Sequence, residues 1–342
     1  MSGPPKRAPR MTASAARRIV SFLPSATEMV FALGLGDELL GVTHECDYPP
    51  GAKQKPVVVR GVLPIETMSQ REIDTAVTER LRDGLGLYRV DEAMMRDIAP
   101  DLILTQELCQ VCAPSGNEVS EVLKTLPTRP EILWLTPKSV EQIFDNLREV
   151  GAATGRVQKA EQVIADGRAR LNKIAAATRD LPYRPRVFCM EWLEPVYCSG
   201  HWVPEMVRLA GGMDQLGREN TDSVRIPWDD VVRWAPEVVI VMPCGLHLDE
   251  AADQAGNLFT YPGALDLPAV RSGRVYAVDA RSYFARPGPR VVDGTELLAH
   301  LFHPELFDWQ GPAGAFRKLE PVQEVEIHGR PTRPRLSAID GP

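Results

Sequence analysis

Four of the six cysteines fall where soft-metal chemistry could be assembled. Cys46 follows an aliphatic run at Leu39–Thr43, and Cys109 and Cys112 follow one at 101–105. Cys244 follows another at Val238–Val241. Each run reads as a β-strand, so all four thiols lie at strand exits, where ligands of open α/β sheets gather. Four converging thiolates would hold a zinc ion or an iron–sulfur cluster, and metal binding would itself draw off the thiol protons. The competing readings are a Cys-x-x-Cys redox pair at Cys109 and Cys112, or ordinary buried cysteines. Cys189, inside a strand, and Cys198 read as packed residues.

Around Cys46 stand His44, Glu45 and Asp47. His44 and Cys46 would share a face of an extended chain, which makes a Cys–His nucleophile conceivable. No third residue is in place to orient the histidine. His44 reads equally as a ligand to a metal or corrinoid, or as a half-buried structural histidine. No Ser-His-Asp set, phosphate-binding loop or nucleotide fingerprint occurs, so the sequence does not point to an enzyme.

A second group is aromatic. Trp192, Glu194 and Tyr197 follow a strand at Arg186–Met190, and His201 and Trp202 precede a helix at 203–210. Aromatic residues make up only 6% of the chain, so their concentration at one set of loops favours a binding surface over simple packing. Their flat faces suit a planar macrocycle, and Tyr48 and Trp228 could join them. Arg286 and Arg290, on a turn fixed by Pro-Gly-Pro after a strand at 274–278, could clamp a carboxylate or phosphate. The plainer reading is an ion-pair cluster at the mouth of a cleft.

The elements that must position these residues occur twice. A strand from Arg18, a helix from Glu28 ending at Gly34 and Gly36, a strand at Leu39, a helix after Asp91 and a strand at 101–105 make the first set, with Ser25 or Thr27 as helix cap. Arg186-Val-Phe-Cys-Met, the helix from Val203 and the strand at 238–241 repeat it. Ala99-Pro100-Asp101 and Ala235-Pro236-Glu237 precede matching aliphatic strands. Such a duplication predicts an α/β fold of two similar lobes with small, mainly parallel sheets and a ligand cleft between them. Between the sets, residues 156–178 place Val157, Ala160, Ile164, Gly167, Leu171 and Ile174 at helical spacing, and Pro182 is the first interruption. The implied helix is ~35 Å long, enough to back both lobes. The organisation read from this is a disordered lead-in at 1–17, an N-terminal lobe at 18–153, a connecting helix at 154–180, a C-terminal lobe at 181–310 and a peripheral tail at 311–342.

The 342 residues carry a formal charge of -7, which disfavours nucleic acid as a partner. Mean hydropathy is -0.18, and no long apolar run suggests a membrane span. Arg17-Arg18 before Ile-Val-Ser-Phe-Leu has the look of a twin-arginine signal, yet Pro24 and Glu28 break the apolar stretch. The expectation is a cytoplasmic monomer with reduced cysteines.

Several motifs together give a family likeness. They are Pro-Ser-Ala-Thr-Glu at 24–28, His-Glu-Cys-Asp at 44–47, Cys-x-x-Cys at 109–112 and Gly-His-Trp-Val-Pro-Glu-Met at 200–206. Pro-Cys-Gly at 243–245 and Arg-Pro-Gly-Pro-Arg-x-x-Asp-Gly at 286–294 complete the set. With the paired Ala-Pro-acid motifs and the inter-lobe helix, the chain resembles the helical-backbone binding proteins of ABC importers for cobalamin, iron-siderophores and haem, over 18–305. It is most similar to the branch known as cobalamin-binding proteins. The resemblance implies cobalamin or another metal chelate as ligand and, if the protein is exported, an ABC permease as partner. It also implies that Pro24, Ser25, His44, Glu45, Tyr48, Trp192, Glu194, Tyr197, His201, Trp202, Trp228, Arg286 and Arg290 face that ligand. The rival is a cytosolic metalloprotein or redox enzyme built on the four cysteines.

Overall fold

The computed structural model describes residues 17–106 and 122–321. Strands β1 (Ile19–Ser21), β2 (Leu39–Thr43), β3 (Val57–Gly61), β4 (Tyr88–Val90), β5 (Leu102–Thr105) and β6 (Glu131–Trp134) form the first sheet, in the order β4-β3-β2-β1-β5-β6. All neighbours are parallel except β3 and β4. In the second sheet β7 (Val187–Trp192), β11 (Val238–Val241) and β12 (Val275–Val278) are parallel. The edge strands β8 (Tyr197–Cys198) and β13 (Phe316–Leu319) are antiparallel to them. A short parallel pair, β9 (Gly200–His201) and β10 (Arg218–Glu219), lies apart. The two-lobed α/β architecture is as expected. One correction concerns the tail: Phe316–Leu319 pairs with β12 and belongs to the sheet, because it offers a full antiparallel register from Leu319↔Val275 to Phe316↔Val278.

The duplication is reproduced down to single hydrogen bonds. Helices α3 (Glu92–Ile98) and α7 (Trp228–Trp234) stop at Ala99 and Ala235, both left-handed with φ of 43° and 49°. In each case a proline follows, which favours a helix stop. The Asp101 carboxylate accepts from the Arg18 backbone N–H at 3.0 Å, and that of Glu237 accepts from the Arg186 N–H at 3.0 Å. The two arginine side chains donate to the Ala99 and Ala235 carbonyls at 3.1 and 3.0 Å. Ala-Pro-acid therefore ends a helix, turns the chain and docks the next strand beside the first one.

Successive strand residues point to opposite faces, and this decides how the lobes join. Ile19, Leu102, Leu104, Val187, Cys189, Val238 and Ile240 face one continuous core shared by both lobes. Val20 and Ile103 face a core private to the first lobe, while Phe188, Met190, Val239 and Val241 face one private to the second. Helices α1 (Pro24–Ala32), α4 (Val140–Ala153), α5 (Val157–Thr178), α6 (Val203–Leu209) and α11 (Val291–Phe302) all contribute to the shared core. Helix α5 is the expected connector. It buries Ala160, Ile164, Gly167, Leu171 and Ile174, whereas Val157, at its start, is 54% exposed. At Gly294 the α11 backbone approaches the Tyr283 carbonyl so closely that an added Cβ would lie 2.5 Å from that oxygen. The glycine of the Arg-x-x-Asp-Gly motif thus seats the first turn of α11, and Arg290 just before it, against the preceding segment.

Candidate functional site

The strand exits of the two sheets meet along the inter-lobe seam. At the end of β1, Pro24 opens α1 at a position where its missing N–H is harmless. Neither Ser25 nor Thr27 caps this helix: its cap residue, Leu23, makes no side-chain cap bond. The Thr27 hydroxyl instead contacts the Cys46 thiol at 3.1 Å, and Thr43 does so at 3.4 Å. Cys46 lies in the shared core, where burial pushes its thiol up despite these bonds. Ser25 is buried as well.

One turn into α1, Glu28 faces the second lobe and is gripped by two arginines. Arg290 donates Nε to Oε2 at 2.8 Å and Nη2 to Oε1 at 2.6 Å, a bidentate pair. Arg286 Nη1 lies 3.5 Å from Oε1. The same Arg286 donates Nη1 to Asp47 Oδ1 and Nη2 to the Glu45 carbonyl, both at 2.6 Å. Arg290 also lies over the Tyr48 ring, 4.1 Å from its centre. Side chains of Glu28 and Arg286 are 3% and 7% exposed, so this is a buried network that crosses the seam. Burial raises the Glu28 carboxyl above its ordinary range, and the opposing pull of Arg290 and then Arg286 offsets this only in part.

The network continues through His247, the cap residue of helix α8 (Leu248–Ala255). Its Nε2 lies 3.1 Å from Asp47 Oδ2 and its Nδ1 3.3 Å from Asp279. Hydrogen bonds to Asp279 and then Asp47 raise its pKa to about 9, against the opposing effect of burial. Burial would raise the Asp47 carboxyl, but the bonds from His247 and Arg286 outweigh it and hold that group well below the usual carboxylate range. Arg281 adds a contact of 3.5 Å to Asp47 and donates to the Glu45 carbonyl at 3.3 Å. Asp47 and Asp279 bind opposite ring nitrogens of His247, so their donor atoms point away from one another rather than at one metal position.

A second bridge crosses the seam at helix α2 (Gln70–Arg82), which lies in the chain between β3 and β4 of the first sheet. The Gln70 side chain accepts from Leu193 N at 2.7 Å, and its carbonyl accepts from Trp192 Nε1 at 3.3 Å. Asp74 accepts from Arg225 at 2.7 and 2.8 Å, Arg225 donates to the Tyr197 hydroxyl at 2.9 Å, and Arg71 lies 3.5 Å from Glu194. A third contact joins Val140 N to Glu205 Oε2 at 2.9 Å.

The structure brings together Glu45, Tyr48, Arg286 and Arg290 in the first group, and Trp192, Glu194 and Tyr197 in the second. Other anticipated residues lie elsewhere. His44 is exposed and rests beside Gly61. Trp202 is buried and donates to the Phe284 carbonyl at 2.9 Å, while Trp228 stacks on Tyr261 and donates to the Pro262 carbonyl. His201 holds a left-handed backbone and contacts Asp222 at 3.2 Å, and burial lowers its pKa. The two arginines are not free clamps, because carboxylates of the first lobe already fill their donor forks. Cys109 and Cys112 lie outside the described residues. Cys46 and Cys244 are free, and among the described residues no three His, Cys, Asp or Glu side chains gather to hold a metal. The four-cysteine zinc or iron–sulfur centre therefore finds no support. Glu28, Asp47, Gln70, Asp74, His247, Asp279 and Arg281 also line the seam, and the sequence by itself does not mark them as seam residues. Glu28 and Asp47 stand inside motifs already singled out, and Gln70 lies inside a Ser69-x-x-Glu72 capping box, so each had a local signal. His247 follows the strand exit at Pro243-Cys-Gly and starts a helix with Glu250 three residues on.

Known proteins share this plan. A family model described as periplasmic binding protein matches residues 19–282. The vitamin B12-binding protein of Vibrio cholerae is 26% identical over 286 residues, covering 83% of this chain and 88% of the relative. An uncharacterised ABC transporter substrate-binding lipoprotein of Bacillus subtilis is 25% identical over 299 residues, covering 85% of this chain and 81% of the relative. A periplasmic heme binding protein from Pseudomonas aeruginosa superposes with a TM-score of 0.63 at 24% identity, covering 85% of this chain and 94% of that one. These matches overturn the cytoplasmic expectation, since a periplasmic family and a lipoprotein relative both point outside the cytoplasmic membrane. The apolar run broken at Pro24 and Glu28 is β1 leading into α1, so its breaks reflect the folded lobe and carry no information about export. Matched by this family model from β1 through β12, over most of its length, the chain belongs to the periplasmic binding protein family.

Proposed function

We propose that this protein captures a small metal chelate, a corrinoid such as cobalamin, a haem or an iron–siderophore, between its two lobes and presents it to an ABC permease. The observation that carries this reading is the meeting of both sets of strand exits along one seam, with Trp192 and Tyr197 of the second lobe set against α2 of the first. Relatives named for vitamin B12 and heme binding, and for ABC transport, support the ligand class and the partner. Residues 18–153 and 181–310, the latter completed by strand β13, serve as the two capturing lobes and 154–180 as the connector. Pro24, Ser25, Glu45, Tyr48, Trp192, Glu194 and Tyr197 are the residues we assign to the neighbourhood of the ligand. Flat aromatic surface beside charged groups suits a macrocycle rimmed by polar arms.

Titration of the purified protein with cyanocobalamin, haemin and a ferric trihydroxamate, read by tryptophan fluorescence and calorimetry, tests the proposal. We expect one of them to bind with Kd on the order of 1 μM or tighter. The pair Trp192→Ala and Tyr197→Ala should weaken it roughly 10-fold or more, as loss of central aromatic anchors does. Absence of binding by all three at about 100 μM would sink the reading.

A further inference from the structure

Helix α2 is the least embedded of the longer helices. A Ser69–Glu72 capping box starts it, and Gln70 is its one buried residue. Both ends of the segment are rooted in the first sheet through β3 and β4, while its inward contacts reach the second lobe. Gln70 itself is 5% exposed. Its Oε1 is the acceptor for Leu193 N–H, a donor that cannot reverse its role, so the orientation of the amide is set. That leaves Nε2 as a donor, and this atom is buried with no hydrogen-bond partner. Unsatisfied buried donors are rare in folded proteins. This one belongs to an amide that lies against the Trp192–Leu193 loop, at the seam where the proposed function puts the ligand.

We infer that Gln70 is a ligand-recognition residue, whose Nε2 donates a hydrogen bond to an acceptor oxygen on a carboxylate or carboxamide arm of the bound chelate. This rests on the proposed function and deepens it. Oε1 holds the Leu193 backbone in place while Nε2, on the same planar amide, reads the ligand's rim. Helix α2 thereby becomes a strap that completes the site from the first lobe. Asp74, one turn further along, anchors the strap to Arg225.

The test uses Gln70→Glu, Gln70→Leu and Asp74→Asn in the full chain, titrated with haemin and cyanocobalamin as above. Gln70→Glu keeps an acceptor for Leu193 N–H but replaces the donor with a carboxylate oxygen, which both removes the hydrogen bond and sets a negative charge against the ligand's arm. It should weaken haemin, whose arms are carboxylates, by about 10-fold or more. For cyanocobalamin the loss should be smaller, because an amide arm can turn and donate. Gln70→Leu should weaken either ligand by about 10-fold, and Asp74→Asn by less than about 3-fold. Wild-type affinity in Gln70→Glu, for the ligand that the unaltered protein binds, overturns the inference and leaves the proposed function standing. If the unaltered protein binds neither these two nor a ferric trihydroxamate, the proposed function fails and the inference falls with it.

Discussion

Glu28, Arg286, Arg290 and Asp47 behave as one unit because each is too buried to be left without its partner. Removing one charge from a buried pair strands the other, which typically costs about 3–5 kcal/mol. Arg286→Ala leaves Asp47 without its 2.6 Å contact and weakens the hold on Glu28, so we expect destabilisation of about 3–5 kcal/mol in chemical denaturation. A change below about 1 kcal/mol would mean that the network is solvated and loosely held. His247 gives a different signature. Its folded-state pKa, about 9, is above the ordinary value near 6.5, so its contribution is complete below pH ~6.5 and is lost as pH rises through about 9. Melting temperature should therefore fall between pH 7 and pH 9.5 more steeply in the parent protein than in His247→Gln. Parallel profiles for the two would refute the role of this imidazole. Because its side chain is 44% exposed, solvent screening will keep the effect modest.

Among the elements, the paired helix stops offer the sharpest case. Ala99 and Ala235 hold φ of 43° and 49°, which costs an L-residue with a Cβ roughly 1–2 kcal/mol. Glycine removes that strain but adds about 0.5–1 kcal/mol of unfolded-chain entropy. The balance predicts that Ala99→Gly or Ala235→Gly stabilises the protein by about 0.5–1 kcal/mol, measurable as a shift of the denaturation midpoint with unchanged slope. Destabilisation by either substitution would show that the alanine methyl packs in a way that matters more than backbone strain. The two motifs were visible as a repeat because their chemistry is local: a helix, a stop, a proline and an acid that docks on the neighbouring arginine. The same reasoning explains why the Ser25 or Thr27 cap failed. Proline at the first helical position starts α1 at Pro24, four residues before the expected start at Glu28, so Ser25 and Thr27 lie inside its first turn and Thr27 turns its hydroxyl toward Cys46.

For the molecule as a whole, the shared core is the governing feature. Residues from both sheets and from α1, α4, α5, α6 and α11 form one apolar cluster, so neither lobe closes its core alone. The two lobes should therefore unfold together, in a single calorimetric transition with matching calorimetric and van 't Hoff enthalpies. Two resolved transitions would contradict this. The same packing restricts the lobes to small relative movements, since α5 presses against both. Gly167 shows how tightly: a Cβ there would meet Phe144 of the first lobe at 3.2 Å and Val292 of the second at 3.3 Å.

The sequence alone determined what depends on short range. Aliphatic strand runs, the helical stripe of α5 and the Ala-Pro-acid repeat each record local geometry, and from them the two-lobed plan follows. Placing cysteines, aromatics and arginines at strand exits was also legible, because an exit is defined by the strand before it. What those residues do there was not. For Arg286 and Arg290 the sequence leaves open an anion clamp or an ion-pair cluster, because the partners that decide for ion pairs, Glu28 and Asp47, lie 262 and 239 positions away in the chain. The Cys46 thiol turns into the shared core from the loop after β2, Trp202 is swallowed by the same core, and the amide of Gln70 meets Leu193 across 123 positions. Which thiol faces the cleft, and whether a charged group is free or already satisfied, is decided when two distant strand ends are pressed together. That pairing is a property of the tertiary structure, since it is the burial of one common core that fixes which charges must face one another across the seam.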